Sequence, residues 1–82
     1  MKYQIIYEKE ALKELNKLEP SISRRVIKKI DEMSENISSC DIKKLKASND
    51  YRLRVGDYRI IFIFDKDIIK ILKIGHRKNI YD

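Results

Sequence analysis

Residues 51–64 read YRLRVGDYRIIFIF, two stretches rich in β-branched and aromatic residues on either side of a Gly-Asp pair. A two-residue connection of this kind between alternating runs specifies a β-hairpin, and the hairpin in turn specifies a register. With Gly56 and Asp57 as the turn, Val55 faces Tyr58, Arg54 faces Arg59, Leu53 faces Ile60 and Arg52 faces Ile61. Opposed residues project to the same side of a sheet. One face therefore carries Tyr51, Leu53, Val55, Tyr58, Ile60, Phe62 and Phe64, a surface that other elements must cover. The other face carries Arg52, Arg54 and Arg59, with no acid interleaved.

The rest of the chain supplies the cover. Residues 2–7, KYQIIY, read as a short strand that starts the chain in the sheet. From Glu8 onward Ala11, Leu12, Leu15 and Leu18 share a helical face, and Pro20 ends that helix or opens the next. Ile22, Val26, Ile30, Met33 and Ile37 step by three or four along a second amphipathic helix. Its opposite face carries Arg24, Arg25, Lys28 and Lys29, most simply a solvated surface with phosphate contact as a secondary use. So short a connection predicts an antiparallel helical hairpin.

Asn36 to Asp41 reads as a polar loop, and IKKLKASND as a basic segment leading to the hairpin. Tyr51–Val55, Tyr58–Phe64 and Ile68–Ile74 are three runs of a β-meander, the last two joined through Asp65-Lys66-Asp67. The predicted class is α+β: an amino-terminal strand, a helical hairpin and a three-strand antiparallel meander, with the helices on one face of the sheet. At 82 residues the chain holds one core and one domain, residues 1–82.

Nineteen Lys and Arg against thirteen Asp and Glu give a net charge of +6, which suits a polyanion or an acidic protein. The helices carry no exposed apolar stripe for insertion into a membrane, and the apolar start is too short for a signal peptide or span. A cytoplasmic location is the expectation. The lone Cys40, flanked by Ser38, Ser39 and Asp41, is read as an inert thiol, and Asp65 with Asp67 as turn chemistry rather than a metal site.

Arg54 directly opposite Arg59 costs the sheet a few tenths to about 1 kcal/mol, so an external anion is the expected compensation. Guanidinium groups match phosphate oxygens bidentately and keep their charge when partly desolvated, which favours a polynucleotide backbone. The terminal run IGHRKNIYD adds His76, Arg77, Lys78 and Tyr81, with Gly75 letting the backbone bend.

YRLRVGDYRIIF followed by IGHRKNIY resembles the RelE/ParE superfamily of bacterial and archaeal toxins, most closely its RelE branch, and the likeness in element order covers nearly the whole chain. The resemblance implies a ribosome-dependent endoribonuclease that cuts mRNA in the ribosomal A site, without metal or cofactor, and is neutralised by a cognate antitoxin. That antitoxin is expected to wrap the toxin with an acidic or amphipathic segment, and the free toxin to be a monomer. The family's functional positions map to Arg52, Arg54, Arg59, Arg77 and Tyr81, with Lys44, Lys46 and Lys78 as further RNA contacts.

The implied reaction is attack of a ribose 2′-hydroxyl on the adjacent phosphate. Some relatives carry lysines where this chain has Arg52 and Arg54, and a guanidinium with a pKa above about 12 is a poor proton shuttle. Proton transfer is then left to Tyr81 or to His76, whose side-chain type titrates near pH 6.5. Two alternatives share the fold: a ParE-like toxin that binds DNA gyrase, and a degenerate toxin that acts only in its antitoxin complex.

Overall fold

A computed structural model describes residues 2–46 and 48–80. The chain forms β1 (Gln4–Tyr7), α1 (Lys9–Lys17), α2 (Pro20–Glu35), a 3₁₀ turn (Ile37–Ser39), β2 (Ile42–Lys44), β3 (Tyr51–Val55), β4 (Tyr58–Asp65) and β5 (Ile68–His76). The five strands make one mixed sheet in the order β1-β5-β4-β3-β2. β1 is parallel to β5, and every other pair is antiparallel. The helices carry the chain from one edge of the sheet to the other, and the meander brings it back.

Pro20 opens α2 rather than ending α1, occupying a first-turn position where its missing N–H costs nothing. The preceding Glu19 is extended, as a residue before proline tends to be. Along α2 the buried positions are Val26, Ile30, Met33 and Ser34. Ser34 meets the cost of burial by donating its hydroxyl to the Asp31 carbonyl at 2.6 Å. The helix stops at Glu35, so Ile37 falls in the 3₁₀ turn and packs on the core from there. In α1, Ala11 and Leu15 are buried, but Leu12 lies off the inward stripe and is 44% exposed.

One continuous core joins Ala11, Leu15, Val26, Ile30 and Met33 of the helices to Leu53, Val55, Ile60, Phe62, Ile69, Ile71 and Ile74 of the sheet. The hairpin register is the expected one throughout, including Arg54 opposite Arg59. Of the two turn residues only Gly56 has a positive φ, +57°, the pattern of a type II′ turn. A side chain there is strained, so Gly56→Ala should cost about 1 kcal/mol and lower the melting midpoint by roughly 4–8 °C. Calorimetry on the purified chain checks this.

Two features depart from the expected meander. The basic segment contains a fifth strand, β2, in which Ile42 pairs with Leu53, Lys43 with Arg52 and Lys44 with Tyr51. β5 also carries an extra residue: Ile61 pairs with Lys73 while Phe62 pairs with Ile71, leaving Leu72 as a bulge. Strict alternation after Ile69 and Ile71 would send Lys73 into the core. The bulge sends Ile74 there instead, and it places Gly75 opposite Arg59 and His76 opposite Tyr58.

Candidate active site on the arginine hairpin

The register puts Arg52, Arg54 and Arg59 on the sheet face away from the helices, and β2 adds Lys43 directly opposite Arg52. Arg54 is exposed, whereas Arg52 and Arg59 are half-buried. Arg59 folds back over the turn, donating from Nη1 to the Gly56 carbonyl at 3.0 Å and the Tyr58 carbonyl at 3.2 Å. Its guanidinium is held below the usual arginine pKa, first by desolvation and then by the charges of Arg54, Arg52 and Arg77, with Asp57 pulling the other way. It remains a cation near neutrality, and those repulsions mark four arginines sharing one field.

Arg77 reaches that field through backbone geometry. Its N–H donates to the Asp57 carbonyl at 2.8 Å, so the residue after β5 is clipped to the hairpin turn. Its side-chain Nε lies 3.8 Å from the Asp57 carboxylate, an exposed pair of small energetic worth. Asp57 was legible in the sequence only as a turn former, yet it is the acid at this corner. Asn79 and Ile80 then lie back over the open face, lining a cleft of about 290 Å³ with Asp50, Ile61, Leu72 and Lys73. Ile80 approaches Gly75 so closely that a Cβ there would sit 2.9 Å from Ile80 Cδ1. Gly75 thus admits the returning tail.

The other candidates are dispersed. His76 shares the side of its register partner Tyr58, the helix-covered side, and the two rings meet edge to face at 5.4 Å. Its imidazole is therefore across the sheet from the arginine face. Lys44, paired with half-buried Tyr51, is likewise on the helix side, and Lys43 takes the place on the arginine face. Lys46 is exposed beyond β2, and Lys78 is exposed in the turn after β5. Tyr81 lies outside the described residues. Arg25 of α2 hangs over the turn, its Nη2 3.1 Å from where a Cβ on Gly56 would stand. It lines a cleft of about 310 Å³ with Lys28, Lys29, Glu32 and Arg54; Lys29 is paired with Glu32 at 3.2 Å, and Arg25, Lys28 and Arg54 extend the cationic surface around the hairpin.

Residues 5–81 match the family model described as the ParE toxin of the type II toxin–antitoxin system parDE. The chain is also 39% identical to toxin RelE3 of Methanocaldococcus jannaschii over 96% of both chains. The chain belongs to the RelE/ParE toxin family. Among solved structures, the RelB–RelE antitoxin–toxin complex from Methanococcus jannaschii is similar at 35% identity and a TM-score of 0.76, covering 94% of this chain and 95% of that one. The archaeal RelE–RelB complex from Pyrococcus horikoshii OT3 is similar at 30% identity and a TM-score of 0.77, covering 98% and 100%. In RelE/ParE terms the architecture is the expected α+β fold, now with its five-strand order defined. Among the described residues no helix is long and apolar enough to cross a membrane.

Proposed function

We propose that this RelE-like toxin cleaves mRNA in the ribosomal A site and thereby stops translation. The observation that carries the reading is the like-charge face itself. Arg54 opposes Arg59 and Lys43 opposes Arg52 in register, with Arg77 clipped alongside by the Asp57 carbonyl. Each opposed pair costs folding free energy, and a phosphodiester bound across the face converts that repulsion into attraction.

In the proposed reaction the 2′-oxygen forms a new bond to phosphorus while the bond from phosphorus to the 5′-oxygen breaks. The products are a 2′,3′-cyclic phosphate and a 5′-hydroxyl. The 2′ proton must pass to a base, and the leaving 5′-oxygen must receive one from an acid. Arg52, Arg54, Arg59 and Arg77 stabilise the charge that grows on the phosphorane, a role that needs no proton transfer. Arg59 suits it best, since its bonds to the Gly56 and Tyr58 carbonyls hold the guanidinium in one place before substrate arrives. Tyr81 is proposed as the proton carrier. Lys46 and Lys78, and Lys43 in place of Lys44, steer the RNA backbone towards the hairpin.

The partner is proposed to be a cognate antitoxin, as in the RelB–RelE complexes to which the fold is similar. Its neutralising segment would be acidic or amphipathic to match a net charge of +6. A second reading, a gyrase inhibitor, is favoured by the family description, which names ParE. Expressing the chain without an antitoxin separates the two. Labelled amino-acid incorporation should stop within minutes while DNA stays intact; continued translation with accumulating gyrase-linked DNA breaks would decide for the second reading.

A further inference from the structure

His76 ends β5 and starts a tight turn. Its Nδ1 accepts the backbone N–H of Lys78 at 3.2 Å, and its carbonyl accepts the N–H of Asn79 at 2.8 Å. A side-chain acceptor bonded to the N–H two residues on is the geometry of an Asx turn, with an imidazole nitrogen in the place of an amide oxygen. Arg77 is the residue inside that turn, and its own N–H is bonded to Asp57. Beyond it, Ile80 seats against Gly75.

We propose that His76 is a positioning residue: its neutral imidazole closes the turn that presents Arg77 to the hairpin, and it does not carry a proton in the reaction. A backbone N–H can only donate, so Nδ1 must present its lone pair to Lys78, and the ring proton of the neutral form resides on Nε2. Neither nitrogen is then a free base. Accepting a proton at Nδ1 would break the turn that holds Arg77. The ring also faces away from the arginine side, towards a cleft of about 320 Å³ lined by Glu10, Glu14 and Lys17 of α1 and by Tyr58 of β4. The charged groups around the ring are Glu10, Glu14 and Lys17 of α1, Lys73 of the same strand, and the adjoining Arg77 and Lys78. A proton on Nδ1 would leave the Lys78 N–H without its acceptor and loosen the turn.

The consequence for cleavage rests on the proposed function, but the turn can be tested without it. In the free chain, imidazole ¹⁵N resonances report the tautomer and hydrogen exchange reports the Lys78 amide. The expected results are a proton on Nε2 and a Lys78 amide whose protection disappears as the ring protonates. His76→Asn supplies an Oδ1 that can accept the same N–H but cannot titrate, whereas His76→Ala supplies nothing. His76→Ala should lose Lys78 protection and roughly tenfold in cleavage, about the worth of one hydrogen bond. His76→Asn should restore both to within about threefold of the parent and flatten the ring's contribution to the pH profile. A proton found on Nδ1, or His76→Asn as inactive as His76→Ala with Lys78 still protected, would overturn the proposal. If the parent chain cleaves no RNA, the functional reading fails, and the tautomer with amide exchange still decides the role of His76.

Discussion

Arg59→Ala is expected to slow RNA cleavage roughly 10²-fold or more while leaving the fold intact, the size of effect seen when one preorganised donor to a developing oxyanion is removed. The two halves of that result have separate causes. Loss of rate follows because the guanidinium is held over the turn by the Gly56 and Tyr58 carbonyls, already placed before substrate binds. Stability survives because truncation removes those two bonds and, at the same time, the repulsion from Arg54, Arg52 and Arg77. Each contribution is about 1 kcal/mol or less, and they oppose one another. Arg77→Ala should cost a similar factor in rate, since its surface pair with Asp57 is worth little to folding. Single-turnover kinetics beside thermal melts checks both. A large loss of stability with the rate per folded molecule unchanged would remove Arg59 from the site.

Phe62→Ala is expected to have the largest effect on stability, about 3–5 kcal/mol. Phe62 is fully buried at the centre of the sheet, stacked on Tyr51 at 5.7 Å and close to Phe64 at 6.2 Å. A domain this size has about 5–15 kcal/mol of stability in total, so the variant should be largely unfolded or degraded in cells and without toxicity. Phe62→Leu keeps most of the volume and should cost less than half as much. Urea titration of both variants tests the order. Equal midpoints would mean that the core does not close around this ring.

Much of this was legible in the sequence, for identifiable reasons. Gly56-Asp57 pins a two-residue turn, and the alternation of Leu53, Val55, Ile60 and Phe62 against three arginines allows one register only. The α2 stripe was legible because Val26, Ile30 and Met33 repeat at the helical period. β2 was not, because IKK has a single β-former; the open edge of β3 recruits it, and the Arg54 N–H bonded to the Asp41 carbonyl at 3.0 Å extends that pairing. The bulge at Leu72 was not legible either, since ILKI fits a strand in either phase.

That bulge also bears on the site. His76 and Arg77 are adjacent in sequence, which suggested a shared role, but consecutive strand residues point to opposite faces. With Gly75 opposite Arg59 and His76 opposite Tyr58, the ring is directed to the helices while the chain turns and carries Arg77 to the hairpin. Lys44 and Lys43 exchange places for the same reason: charge was visible in the sequence, and its side of the sheet required the pairing of β2.

The chemistry of the RNA ends tests the central claim most directly. Purified chain is added to ribosomes holding a defined message, and the termini of the fragments are determined. Cleavage on the hairpin face predicts a cut within the A-site codon, with a 2′,3′-cyclic phosphate upstream and a 5′-hydroxyl downstream, and its loss in the Arg59→Ala, Arg77→Ala double variant. An intact message, or a cut that the double variant makes as fast as the parent, would contradict it.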